Sequence, residues 1–325
     1  MMKISVIIPN YNKENNIKKC IRSIYSQKKN VEIIVVDDFS SDNSINTIKR
    51  NFPKVKVICN KKNKGAAYCR NLGVLRSSGG YIAFVDSDVC LKKNCLNELL
   101  KSIKYADISF PTIIYENKAI MYPLTKEEQK YPMISACFMI KRESIKKLDE
   151  MFDETYRTFN EDSDFFLRCK LFGLKASYSK NALAVHMHKS HDTERRYYLE
   201  NKNIMYGIIK FKGLTKRIKL EHPFKSKALL KNFVCGIFNF NWFDWSSYKR
   251  NKSFLCKIQL LIKKHRKITN KPAIILPYLF LKAILWNIVN INKALIKRKS
   301  LKNCIIGGHF NAIEESNISN KRIYT

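Results

Sequence analysis

Asp86-Ser-Asp88 sets two carboxylates one residue apart, directly behind the uncharged run Tyr81 to Val85. That run is aromatic and β-branched and follows two glycines, the pattern of a buried strand. A buried strand ending in paired acids puts negative charge at the edge of a sheet, where ligands of open α/β sheets bind. Carboxylate oxygens there suit a hard divalent cation, and such a cation suits phosphate oxygens. Three residues alone also fit a plain polar turn, so the remaining acids matter. Asp37 and Asp38 close a second apolar run, Val31 to Val36. Glu161, Asp162 and Asp164 cluster where an apolar, helical stretch begins; acids also favour the first turn of a helix through its dipole. His186 and His188 stand two apart after an apolar segment.

The elements that must position these groups follow from periodicity. Lys3 to Ile8 reads as a first strand, stopped by Pro9, with Asn10, Tyr11 and Asn12 as a turn. Ile17, Cys20, Ile21, Ile24 and Tyr25 recur at helical spacing. Val31 to Val36 is the second strand, and a helix from the serines at 40–44 reaches about Arg50. Lys54 to Cys59 is a third strand and Gly65 to Arg76 a third helix. Strand and helix alternating at this spacing predict βαβ units, a mainly parallel sheet and helices on both faces. No Gly-x-Gly-x-x-Gly follows the first strand and no Walker lysine loop occurs, which disfavours dinucleotide-cofactor and P-loop chemistry. Further on, a helix over Leu91 to Lys104, a strand over Ala106 to Ile114, a loop over 115–132 and a strand over Ile134 to Ile140 are expected.

Four segments carry a resemblance in register: Val6 to Asn12, Ile33 to Asp42, Asn63 to Gly73 and Phe84 to Asp88. Together they resemble the family 2 glycosyltransferases, over roughly residues 3 to 190. The resemblance implies a GT-A fold and an inverting, nucleotide-sugar-dependent reaction. One departure is Phe39, where the family usually has glycine after the acid pair.

Asp38 can accept a hydrogen bond from a base N–H, and the resemblance assigns a base contact to it. It likens Pro9 and Tyr11 to the wall of the base pocket. Arg70 can pair with phosphate as a fork, or be a plain surface arginine. Asp86 faces ribose or metal by resemblance, and Asp88 is the direct metal ligand. Asp162 aligns with the catalytic base, which a poorly nucleophilic sugar hydroxyl needs; Glu161 and Asp164 orient or cap. His186, in preference to His188, resembles the last metal or diphosphate contact. The implied cofactor is Mg²⁺ or Mn²⁺. The implied donor is a nucleotide sugar, a UDP-sugar first, and the implied acceptor a glycan or lipid-linked glycan. Transfer to polyprenyl phosphate is the alternative reaction.

The net charge is +34 and uneven. The last 131 residues hold 28 Lys and Arg against 5 Asp and Glu, a net +23. That asymmetry suggests an anionic partner. Nucleic acid is disfavoured: no zinc finger or RNP-type motif occurs, and the acid clusters would repel phosphate without a metal. An anionic membrane surface fits better. Phe233 to Trp245 is aromatic-rich, and Ala273 to Ile291 is apolar apart from Pro277, Lys282, Asn287 and Asn290. That second stretch can span a bilayer, lie in its interface or be buried in a helical subdomain. The expected organisation is a catalytic domain over 1–194, with a nucleotide half to about 105 and an acceptor half beyond it. A basic, helical, membrane-associating region then covers 195–325. With ten cysteines in no metal spacing and no signal-like start, a reduced, cytoplasmic protein at the inner face of the membrane is expected.

Overall fold

The computed structural model of the chain describes residues 3–27, 30–187, 193–214 and 275–306. The described residues fall into two compact units, 3–187 with 300–306, and 193–214 with 275–299.

The first unit is a nine-stranded mixed sheet with helices. Its first part alternates: β1 Ile4–Asn10, α1 Glu14–Tyr25, β2 Val31–Asp37, α2 Ser44–Asn51, β3 Lys56–Cys59, α3 Ala66–Leu75, β4 Tyr81–Val85. These four strands lie parallel in the order β3-β2-β1-β4, as the alternation predicts. Chain order reverses at β1, so the carboxyl ends of β1 and β4 flank a switch point, the usual place for a ligand crevice. The continuous apolar run of β2 is explained by burial on both faces. Ile33 and Val35 join the main core with Ile17, Ile21 and Ile48, while Ile34 and Val36 pack with Cys69 on α3. Gly73 lets α3 close on β1, since a Cβ there would collide with the side chain of Ile7.

The second part is mixed. β5 Val89–Leu91, α4 Cys95–Ser102, a 3₁₀ turn, β6 Ile108–Tyr115, β7 Ile120–Tyr122, α5 Lys126–Lys130, β8 Cys137–Lys141, α6 Arg142–Ile145, α7 Glu161–Leu171 and β9 Ala176–His186 follow. β6 and β9 pair parallel, and the other pairings are antiparallel: β8 with β4 and β6, β5 with β9, and β7 with β6. Two expectations are corrected here. Residues 89–91 form a strand, so the next helix starts at Cys95 and not at Leu91. The expected loop 115–132 contains β7, paired to β6, and α5, held by a capping box between Thr125 and Glu128. Three apolar residues are too few for periodicity to reveal a strand.

The second unit contains α8 Thr193–Phe211 and α9 Ile275–Val289, followed by α10 Ile291–Ile306. Phe233 to Trp245 and the tail from Gly307 lie outside the described residues.

Candidate active site

Register brings the sequence-predicted acids together. β4 pairs β8 with Val85 opposite Cys137, so the chain past Val85 runs beside Ser135 and Ala136. The Asp86 N–H donates to the Ala136 carbonyl at 3.0 Å. One residue earlier, the Ser135 N–H donates to Oδ2 of Asp162 at 3.3 Å. Thus the end of β4, the entry to β8 and the start of α7 meet at one edge. On the other side, β5 pairs β9 with Val89 opposite His186. The Met187 N–H donates to the Asp88 carbonyl at 2.8 Å, and His186 Nε2 lies 3.6 Å from Asp88 Oδ1. His188 and Ser190 lie outside the described residues.

Two cations hold these acids. Lys13, at the N-cap of α1 just past β1, places Nζ 2.7 Å from Asp88 Oδ2. Reading the sequence missed this residue: one lysine among many carries no signal, and only the adjacency of β1 and β4 brings it to Asp88. Arg70 projects from α3 with its side chain buried. Nη1 donates to Glu161 Oε1 and Nη2 to Asp86 Oδ1, each at 2.9 Å, while the guanidinium lies over the Phe152 ring. Arg70 is therefore not a surface arginine. Its fork lies on two carboxylates, Asp86 and Glu161. The reason is the inward face of α3, which the arginine shares with Ala67, Cys69 and Gly73.

Glu161 is buried, and burial raises its carboxyl above the ordinary range while Arg70 pulls it back. Asp162 keeps a window to solvent but is surrounded by protein. That desolvation, with the Glu161 charge adjoining, pushes it up to about 7 against the pull of Arg70 and the Ser163 and Ser135 N–H groups. A largely buried carboxyl near neutrality, with some access to solvent, suits proton abstraction. Asp164 has another task. It is fully buried, and the Arg168 Nε donates to its Oδ2 at 2.7 Å. Arg168 also donates to Asp149 and to the Glu150 and Met151 carbonyls, pinning that segment to α7. The residue before Glu161, Asn160, caps the helix in a left-handed conformation without a side-chain cap. Arg157 and Phe159 are left-handed too, a concentration of strained backbone at the entry to α7.

The base-side residues lie at the ends of β1 and β2. Tyr11 is 42% exposed and offers a ring face to solvent, and Pro9 is half-buried. Asp37 accepts from Asn10 Nδ2 and the Ser40 N–H, tying the two strand ends together. Asp38 accepts from the Lys64 and Gly65 N–H groups at 2.7 Å and from Asn60 Nδ2 at 2.9 Å. The Cys69 thiol also hydrogen-bonds it, and Asp38 is buried. Gly65 is required there: its φ is +94°, and a Cβ would meet the Arg157 carbonyl oxygen at 2.5 Å.

Among the described residues no three His, Cys, Asp or Glu side chains group tightly enough to hold a metal unaided. Magnesium-type ions need fewer, taking one or two protein ligands with substrate phosphates and water. Asp88 Oδ1 and His186 Nε2, 3.6 Å apart, fit such a pair, since neighbouring ligands at about 2.1 Å from an ion stand about 3 Å apart. Asp86 is committed to Arg70 through Oδ1 and is the weaker candidate.

Residues 5–121 match the family model Glycosyl transferase family 2. An uncharacterized glycosyltransferase of Haemophilus influenzae is 30% identical over 187 residues, 52% of this chain and 72% of that protein. The poly(ribitol-phosphate) beta-N-acetylglucosaminyltransferase TarP of Staphylococcus aureus is 26% identical over 271 residues, 72% of this chain and 83% of that one. Three further relatives match over 105 to 116 residues at 35% to 40% identity, and the chain spans 15% to 36% of their length. Among solved structures, residues 1–349 of S. aureus TarS in complex with UDP-GlcNAc superpose with a TM-score of 0.52 at 21% identity, covering 94% of this chain and 92% of that one. That likeness speaks for the fold, of GT-A type.

Proposed function

The chain belongs to glycosyl transferase family 2, and from that premise we propose that it moves a sugar from a nucleoside diphosphate to an acceptor hydroxyl with inversion. One observation carries the proposal. Asp86, Arg70 and Glu161 form an unbroken chain of contacts from the end of β4 to the start of α7, where Asp162 stands partly open to solvent. Donor-side acids and a proton acceptor are thus held in one rigid frame.

The nucleotide lies along the carboxyl ends of β1 and β2, with Tyr11, Pro9 and Asp38 on the side of the base. The UDP-GlcNAc complex of TarS supports a uridine diphosphate sugar. The acetylglucosaminyltransferase name of TarP, which acts on poly(ribitol phosphate), supports an acceptor of cell-surface polymer type, a glycan or lipid-linked glycan. Asp88 and His186 would hold Mg²⁺ or Mn²⁺, which when bound would neutralise charge on the departing diphosphate. Asp162 takes the proton from the acceptor hydroxyl. That oxygen bonds to the anomeric carbon, and the bond to the diphosphate breaks with its electron pair leaving on the diphosphate. A single displacement inverts the anomeric centre.

The test is a panel of nucleotide sugars with the full chain and Mg²⁺ or Mn²⁺, reading nucleoside diphosphate release. One donor class should react, with product of inverted configuration, and Asp162→Asn should slow release at least about a hundredfold. A product that keeps the donor's configuration overturns the mechanism, and no release from any donor overturns the function.

A further inference from the structure

The helix α9 has two unlike faces. Phe280, Ala283 and Asn287 are buried. Asn287 Nδ2 donates to the Lys202 carbonyl of α8 at 2.9 Å, and Trp286 stacks edge-on with Tyr206 and lies under Lys202. The opposite face is apolar and open. Tyr278, Leu281, Leu285 and Ile288 recur at helical spacing and are each 58% to 62% exposed, and Val289 beside them is 81% exposed. Ile291, Leu295 and Ile296 extend the open apolar surface into α10. A run of large exposed side chains of this kind marks an interaction site.

Charge identifies what meets it. Residues 275–306 contain six Lys and Arg and no Asp or Glu. Lys282, Lys293, Lys299 and Lys302 are exposed. A second copy of the same face would bring like charges together, and an apolar protein partner would leave them unanswered. A bilayer with anionic headgroups answers both features, taking the apolar side chains at the acyl boundary and the lysines among phosphates. Among the described residues no single helix is long and apolar enough to cross a membrane; Tyr278–Val289 and Ile291–Ile305 reach that length only as a pair bent by 60°. A bent pair with lysines along it suits the interfacial plane rather than a crossing.

We propose that the exposed face of α9, continued by basic α10, docks this protein onto an anionic lipid surface. The inference goes beyond the transfer reaction and does not depend on it.

The experiment is flotation of the full chain with two kinds of vesicle, phosphatidylcholine alone and phosphatidylcholine with phosphatidylglycerol. Low-salt binding to the anionic vesicles alone is expected, reversed by high salt. Leu285→Glu with Ile288→Glu should cut binding at least tenfold. Lys293→Glu with Lys299→Glu should cut it by about fivefold for each cation lost, as charges near such a surface contribute. All four positions are exposed, so melting temperature should not move. Four results overturn the proposal. They are no binding at low salt, equal binding to both vesicles, retention through high salt and alkaline carbonate, and apolar variants that turn a dimer into a monomer while vesicle binding persists. Donor hydrolysis in solution should survive the variants, which separates this outcome from failure of the transfer reading.

Discussion

Nη1 of Arg70 stands 2.9 Å from Oε1 of Glu161, a residue 91 positions further along the chain. The same guanidinium reaches Asp86, so one buried cation answers two acids from two different parts of the fold. Removing a single partner of a buried ion pair leaves uncompensated charge, which costs about 3–5 kcal/mol. Arg70→Met should therefore lower unfolding free energy by about that amount in a denaturant titration. Adding Glu161→Gln to it should recover part of the loss. If the double variant is less stable than the single one, the charge argument is wrong and packing explains the effect.

The pH profile should report Asp162. Burial and Glu161 raise its carboxyl to about 7, so below that pH it holds a proton and cannot accept another. Log kcat/KM should climb with unit slope up to about pH 7 and level off above it. Stability should move the other way. The folded carboxyl binds its proton more tightly than the unfolded one, whose value is about 3.9. The native state thus holds more protons between about pH 4 and pH 7, and stability declines as pH rises through that window. Asp162→Asn should flatten the decline. An activity limb centred near pH 4 would remove Asp162 from the role of base.

Asp86, Asp88 and Asp162 were legible because strand-end and helix-start acids announce themselves beside apolar runs. The four-strand parallel half was legible for a related reason: long runs buried on both faces have no other reading. What stayed hidden was contact across chain distance. Lys13 meets Asp88 through the adjacency of β1 and β4, and Arg70 reaches from α3 to Glu161 at the start of α7. Neither follows from local pattern. Asp164 reads as an orienting or capping acid, set apart from Asp162, but its partner Arg168, four residues on, shows only in the structure. β5 and β7 were too short for their periodicity to register.

Phe39 adopts φ +68° and is 59% exposed. The left-handed region costs a residue with a Cβ about 1–2 kcal/mol, whereas glycine enters it freely at an entropic cost of about 0.5–1 kcal/mol. Phe39→Gly should thus raise stability by up to about 1 kcal/mol. Phe39→Val, β-branched, should lower it. Thermal unfolding of the two variants checks the pair, and a glycine variant that melts below the parent contradicts the strain assignment.

Asp162 and Asp164 should part company on substitution. Asp162→Asn keeps shape but cannot take a proton, so turnover should fall at least about a hundredfold, the size of base catalysis, with melting temperature little changed. Asp164→Asn strips Arg168 of a fully buried partner and should cost about 3–5 kcal/mol of stability. At a temperature where it stays folded, its turnover should fall far less. Equal losses of turnover in the two folded variants would leave the base unassigned.

Lys13 occupies the carboxylate that a divalent ion would use. Its ammonium lies 2.7 Å from Asp88 Oδ2, while Asp88 Oδ1 and His186 Nε2 stand 3.6 Å apart. An ammonium and a divalent ion this close would repel each other, so on the proposed reading Lys13 should weaken ion binding until an anionic donor shares the charge. In Lys13→Met the unpaired Asp88 should hold Mn²⁺ more tightly in the absence of donor. Titration followed by water-proton relaxation should show a gain of severalfold. With donor present the sign should reverse, because the diphosphate loses a nearby cation, and KM for the donor should rise. Asp88→Asn should lose Mn²⁺ in both conditions, and excess EDTA should stop transfer by the parent. If Lys13→Met binds Mn²⁺ no more tightly than the parent while Asp88→Asn leaves binding intact, the ion lies elsewhere and the Lys13–Asp88 contact is a structural ion pair.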